Sequence, residues 1–286
     1  MTRRLCATHL GQVHCIEVGA GEATPLLLLH QTPRSVDEFA EVLPLLARHR
    51  RVIALDTPGY GCSDRVPAHP GIADYATAAF EALDALGIER VVVVGHHTGA
   101  VIAVEMAAAR PGRIERVVLS GPVYTDAAGR AELARHFRQW TVAEDGAHLL
   151  DKWRKFHGWL PRAELVQRLV VDLFRAGTTS EQGHFAVADY RMEERLPRVR
   201  CPALLLYGRD DPFASPERAA PLRAAFRPVR ETTVAAGIFV ANEAPELFAA
   251  AVLDYLDGPP WAGVRTRPTR TRDRRWRRSR RAVRCP

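Results

Sequence analysis

Short apolar runs alternate with longer amphipathic stretches along most of the chain. Arg4 to Ala7 and Val13 to Val18 read as two opening strands, with Gly11 near the turn between them. Six more strands are predicted: Pro25 to His30, Arg51 to Asp56, Arg90 to Gly95, Arg116 to Ser120, Ala203 to Gly208 and Glu231 to Ala235. The LLLL at 26–29 and the VVVV at 91–94 lack the alternation of a half-exposed strand. Strands apolar on both sides suit a parallel sheet covered by helices on each face. Helices are predicted between them, over Val36 to Arg48, Ala73 to Leu86, Gly99 to Ala109, Pro216 to Phe226 and Pro245 to Leu256. Ser35 with Glu38 three residues on, and Ser215 before Pro216, are good helix starts.

Between residues 125 and 197 the strand signal disappears. Arg130 to Trp140, Ala147 to Gly158, Arg162 to Ala176 and Glu181 to Glu194 carry helical patterns and seven aromatic side chains, from Phe137 to Phe185. This is the pattern of a helical lid inserted into a doubly wound sheet. The organisation it gives is a core over 1–124, a lid over 125–197, the rest of the core over 198–257 and a tail over 258–286. In such a sheet, functional loops gather at the carboxyl ends of the strands.

Charge changes the picture only at the end of the chain. The formal net charge is +7, but the segment from Arg265 to Pro286 holds eleven arginines and one aspartate, which leaves residues 1–264 at −3. The tail has no periodic apolar face and reads as disordered; it would bind polyanions non-specifically, and no specific nucleic-acid partner is expected. With 47% hydrophobic residues the rest is globular. No apolar run reaches the ~18 residues needed to cross a bilayer, so no membrane partner is expected. Met1 to Glu17 lacks a long apolar leader, and a cytoplasmic location follows as the expectation. Five widely spaced cysteines without a CxxC pair argue for reduced thiols. No G-x-G-x-x-G or Walker pattern follows the first strands, and no HxxxH supports a metal, so neither a nucleotide cofactor nor a metal is expected.

Four motifs fall at the ends of predicted strands: LLLLHQTPRS at 26–35, DTPGYGCSD at 56–64, VVVVGHHTGA at 91–100 and LLLYGRDDPF at 204–213. In order and spacing they resemble the α/β-hydrolase superfamily, of the lidded type that acts on small molecules, and the resemblance covers residues 10–257. It implies a strand–turn–helix elbow closed by Gly95 and Gly99, with the central residue His97 exposed on the turn. It implies an acid at Asp211, with Asp210 as the neighbouring alternative. It also implies an oxyanion hole from the backbone N–H groups of Thr32 and Thr98. Gln31 replaces the glycine of the family's HG pair at the pocket mouth, and His30 before it braces the loop or meets substrate.

Two positions depart from the family. The elbow centre holds Ser, Cys or Asp in the family and His97 here, so no serine acyl-enzyme can form. The family's closing histidine falls on Ile238, which cannot accept a proton, and a Ser-His-Asp relay is absent. Asp211 can hold the imidazole of His97 only within hydrogen-bond reach, a distance the missing histidine normally bridges. His136, His148, His157 and His184 in the lid are candidates for a substitute base. His96 adjoins His97, but neighbours on a strand point to opposite faces, which argues against a metal pair. Two readings stay open. One is a cofactor-independent, hydrolase-like enzyme acting on a small carbonyl substrate, or running lyase, decarboxylase or cyclase chemistry in the same pocket. The other is a catalytically inactive protein that binds small molecules.

Overall fold

The computed structural model describes residues 1–48, 50–66 and 69–258. The tail expected over 258–286 lies, from residue 259 on, outside the described residues. Eight strands form one sheet: β1 (Thr2–Thr8), β2 (Gly11–Val18), β3 (Leu26–Leu29), β4 (Val52–Leu55), β5 (Val91–His96), β6 (Ile114–Ser120), β7 (Ala203–Gly208) and β8 (Val229–Val234). Their order is β1-β2-β4-β3-β5-β6-β7-β8. β1 and β2 form an antiparallel hairpin and β2 runs antiparallel to β4, while all later pairings are parallel.

The all-apolar strands divide their side chains between two cores. Leu27, Leu29, Val91 and Val93 pack against helices α2 (Ile72–Ala85) and α3 (Thr98–Ala109) on one face. Leu26, Leu28, Val92 and Val94 meet Phe39, the single turn α1 (Leu43–Leu46), the turn α10 (Val240–Glu243) and helix α11 (Pro245–Asp257) on the other. The continuous helix predicted over 36–48 is split into a 3-10 turn at Val36–Phe39 and α1. Pro44 explains the break: it has no N–H to donate, and its ring would clash with the carbonyl four residues back. Pro221 acts likewise over 216–226, giving a 3-10 turn at Glu217–Ala219 and then α9 (Ala220–Ala225).

Between β6 and β7 the chain forms α4 (Ala127–His136), α5 (Ala147–Trp159), α6 (Ala163–Ala176), α7 (Gln182–Asp189) and α8 (Met192–Arg195). The helix expected over 181–194 is broken between α7 and α8, where Tyr190 turns extended and its hydroxyl donates to Glu105. Arg195 grips the same Glu105 through both carboxylate oxygens at 2.7 Å, so the one acid in the buried helix α3 is satisfied from the inserted segment. A third core joins α5 and α6 to the site end of the sheet: Phe156, Leu160, Val166 and Leu169 pack with Ile238 and Phe239. Among the described residues no helix is long and apolar enough to cross a membrane.

Candidate active site

The turn from β5 into α3 brings the two backbones into contact. A Cβ on Gly95 would run into the carbonyl of Gly99, and one on Gly99 into the carbonyl of Leu29. His97 sits at the apex with φ 46° and ψ −107°, the one non-glycine residue with positive φ among the described residues. That conformation is costly for a side chain with a Cβ, and such residues persist where the surroundings over-determine them. It pushes the imidazole out beyond the end of the sheet.

The imidazole meets the acid loop directly. His97 Nε2 lies 2.8 Å from Asp211 Oδ2, which is fully buried, whereas Asp210 is exposed. The missing triad histidine is thus not needed as a bridge, because histidine Nε2 lies two bonds farther from Cβ than a serine oxygen and covers the gap itself. Room for the ring is made by Gly121, just past β6, where a Cβ would stand 2.5 Å from His97 Cδ2 and Nε2. Burial raises the Asp211 carboxyl, but the His97 hydrogen bond and charge, helped by the Phe213 N–H at 2.9 Å, outweigh it and hold the acid below its ordinary range. An ionised Asp211 only accepts, so the His97 proton sits on Nε2 and the lone pair on Nδ1. Nδ1 has no hydrogen-bond partner among the described residues. It lies one bond beyond where a serine oxygen would be.

His96 is the neighbour that sequence alternation points away from His97, yet the two ring centroids are 4.5 Å apart. The elbow's positive φ, not a strand geometry, sets the direction of His97. His96 is buried, with Nδ1 2.9 Å from Ser120 Oγ and Nε2 2.8 Å from the Ile238 carbonyl. The Ile238 carbonyl only accepts, which places the His96 proton on Nε2 and leaves Nδ1 to take the Ser120 hydroxyl proton. Burial, then the charge of His97, push its pKa down to about 3, so the ring is neutral. With both nitrogens engaged, His96 and His97 do not form a metal pair. Instead His96 ties the loop bearing Ile238 to the sheet. Ile238 itself packs into the core beneath α5 and α6.

The loop after β3 lies against the elbow. The Thr32 N–H points to Thr98 Oγ1 at 3.4 Å, and the Thr98 N–H begins α3, where the residue four back belongs to β5 and offers no helical carbonyl. Both ring nitrogens of His30 are used, Nδ1 at the Gln31 carbonyl (2.8 Å) and Nε2 accepting from the Thr57 N–H (2.9 Å), so His30 is a brace with no nitrogen left for a ligand. Gln31, expected at a pocket mouth, is only 5% exposed and its Nε2 has no partner. Its N–H donates to Glu38 Oε2 (3.1 Å). Glu38 is 1% exposed, its Oε1 is unpartnered, and burial lifts its pKa to about 7 against the pull of Arg34. Nothing in the local sequence marked Glu38 as more than a helix-start residue, because its burial comes from packing distant in sequence.

The inserted helices are tied to this loop. Arg34, 1% exposed, donates through Nε to Asp172 of α6 at 2.8 Å and through a terminal nitrogen to Asn242 at 2.9 Å, while Ser35 Oγ donates to the other Asp172 oxygen. On the far side Tyr60 links the Ser180 carbonyl and the Gly183 N–H, next to Thr32. Among the described residues no histidine of α4–α8 bonds to His97 or Asp211. His148 accepts from Ala143 N–H and stacks on Trp140, and His184 pairs with Glu181 at 2.7 Å. A separate group of His14, Asp56 and Cys62 brings three donor atoms within 4.8 Å of one another. Asp56 there already accepts from His14 Nδ1, Val36 N–H and Cys62 N–H, which makes it the anchor of the DTPGYGCSD turn.

Comparison with known proteins bears on the whole of this arrangement. A family model described as alpha/beta hydrolase fold matches residues 24–237. An (E)-2-((N-methylformamido)methylene)succinate hydrolase from Acinetobacter baylyi is 28% identical over 213 residues, 71% of this chain and 78% of that protein. A non-heme haloperoxidase from Rhodococcus erythropolis is 30% identical over 208 residues, 67% of this chain and 76% of that one. The crystal structure of a hydrolase from Pseudomonas aeruginosa superposes with a TM-score of 0.76 at 28% identity, covering 89% of this chain and 98% of the other. With eight strands in this order, a strained elbow and an acid loop at the strand ends, the chain belongs to the alpha/beta hydrolase fold family.

Proposed function

We propose that the protein hydrolyses a small carbonyl compound by activating water with the His97–Asp211 pair, with no covalent acyl-enzyme and no cofactor. The observation that carries this reading is the 2.8 Å contact from His97 Nε2 to a buried, ionised Asp211, which leaves Nδ1 without a partner at the apex of the elbow turn. Nδ1 takes a proton from water as the water oxygen attacks the carbonyl carbon, and Asp211 stabilises the imidazolium that forms. The developing oxyanion is held by the N–H groups of Thr32 and Thr98. The Thr98 hydroxyl, already facing the Thr32 N–H, has its own proton to offer. The imidazolium then returns its proton to the leaving group, giving acid plus alcohol or amine with one water consumed. Helices α4–α8 act as the lid, closing the site from above. The similarity to a hydrolase of a substituted succinate supports a small organic acid as the substrate class.

His97→Ala and Asp211→Asn proteins, assayed against a panel of carbonyl substrates, test this. Turnover in the parent should drop by two to four orders of magnitude in His97→Ala, the usual worth of a general base. Short p-nitrophenyl esters should be hydrolysed near background, and a serine-directed fluorophosphonate should leave the parent unaffected. Full activity in His97→Ala would instead point to a different catalytic group, and no turnover of any substrate by the parent would favour the inactive binding protein.

A further inference from the structure

Only two of the 40 basic residues are lysines, Lys152 and Lys155, and both are on α5. Each stands over a tryptophan ring: Lys152 Nζ is 5.5 Å from the centre of Trp140, and Lys155 Nζ is 5.3 Å from the centre of Trp159. Lys152 also has a carboxylate in reach, Glu181 Oε1 at 3.8 Å. Lys155 is exposed and makes no ion pair within 4 Å among the described residues, although its charge, with that of Lys152, acts on Glu181. The third cation of this helix stretch, Arg154, is paired with Asp151 on the exposed side.

Trp159 is the outer end of an aromatic path to the proposed base. His97 meets Phe213 edge-on at 6.3 Å between ring centres, and Phe213 meets Trp159 edge-on at 5.9 Å. Phe213 is fixed in turn by its N–H bond to Asp211. Both Phe213 and Trp159 are 41% exposed, unusual for large aromatics beside a buried acid. Two partly exposed aromatic rings and an exposed ammonium, leading to an imidazole nitrogen without a partner, form a set of groups complementary to a flat ligand with a negative end.

We propose that Phe213, Trp159 and Lys155 form the entrance of the His97 site and select small planar carboxylates, the rings stacking on the conjugated part and the Lys155 ammonium pairing with the carboxylate. This rests on His97 marking the site and names its substrate class.

Binding can be read without turnover, by tryptophan fluorescence and saturation-transfer NMR, using benzoate and its neutral isostere benzamide as probes. Benzoate should bind at least tenfold tighter than benzamide at low ionic strength, and the difference should shrink in 0.5 M NaCl. Lys155→Met, which keeps the aliphatic stem on an exposed position, should bring the two probes within about twofold. Trp159→Leu should weaken both. His97→Ala should keep the preference for benzoate even if turnover vanishes, which separates this entrance from the role of the base. Equal binding of the two probes by the parent, no binding of either, or an unchanged preference in Lys155→Met would overturn the proposal.

Discussion

Replacing Glu38 by glutamine should change how stability depends on pH, and the structure sets the size of the change. The carboxyl is fully enclosed, one oxygen takes the Gln31 N–H and the other has no partner. The charged groups around it are Arg34, His97 and Asp172. Its pKa rises from 4.5 to about 7 on folding. A raised acid pKa means the folded state binds the proton more tightly than the unfolded one. The stabilisation is therefore complete below about pH 4.5, erodes as pH rises toward 7 and is lost above it. Between pH 5 and pH 8 the loss amounts to about 2.5 kcal/mol, from the two pKa values and 1.36 kcal/mol per unit. Glu38→Gln keeps the shape and the acceptor for Gln31 but cannot ionise. Urea denaturation of both proteins at pH 5 and pH 8 measures the effect, and subtracting one from the other removes every group they share. The variant should gain about 2.5 kcal/mol on the parent over that range, enough to be the more stable protein at pH 8. If the difference between the two stays within about 0.5 kcal/mol across the range, the carboxyl is not held neutral and the reasoning fails.

Other expectations are as specific. Gly121→Ala places a Cβ against the His97 ring at a left-handed backbone position, so it should cost about 1–3 kcal/mol of stability and abolish the His97–Asp211 bond, visible as loss of the downfield Nε2 proton resonance. Asp172→Ala strands the buried Arg34 guanidinium and should lower unfolding free energy by about 3–5 kcal/mol in chemical denaturation. The His96 ring should stay neutral and Nε2-protonated at pH 5 in nitrogen-15 NMR. Since its pKa falls on folding, its stabilising contribution is present above pH 6.5 and declines as pH drops below it; a doubly protonated ring at pH 5 would contradict the burial argument.

The strands were legible because their cause is local: LLLL and VVVV have no polar side to expose and can only lie between two helical layers. The breaks at Pro44 and Pro221 were equally local, but they interrupt a periodicity that otherwise looks continuous. The elbow at Gly95–Gly99 could be found because close backbone contact demands small residues at fixed spacing. What could not be read was reach. Whether Asp211 touches His97 depends on Gly121, more than 20 residues from one and 90 from the other, leaving a space that no pattern announces. Glu38 looked like a helix-start acid, and its isolation arises only when α10 and the Arg34–Asp172 pair close over it. His96 and His97 were expected to diverge by strand alternation, and the strained turn that brings their rings together is a tertiary property.

That strained turn also sets a conflict for anyone who would stabilise this protein. A glycine at 97 would adopt φ 46° without a Cβ penalty and relieve about 1–3 kcal/mol of backbone strain. A selection for heat resistance alone therefore rewards losing the side chain on which the proposed chemistry depends. Position 97 is where survival of the fold and survival of the reaction part company, and a screen that reads only soluble yield would discard the imidazole first.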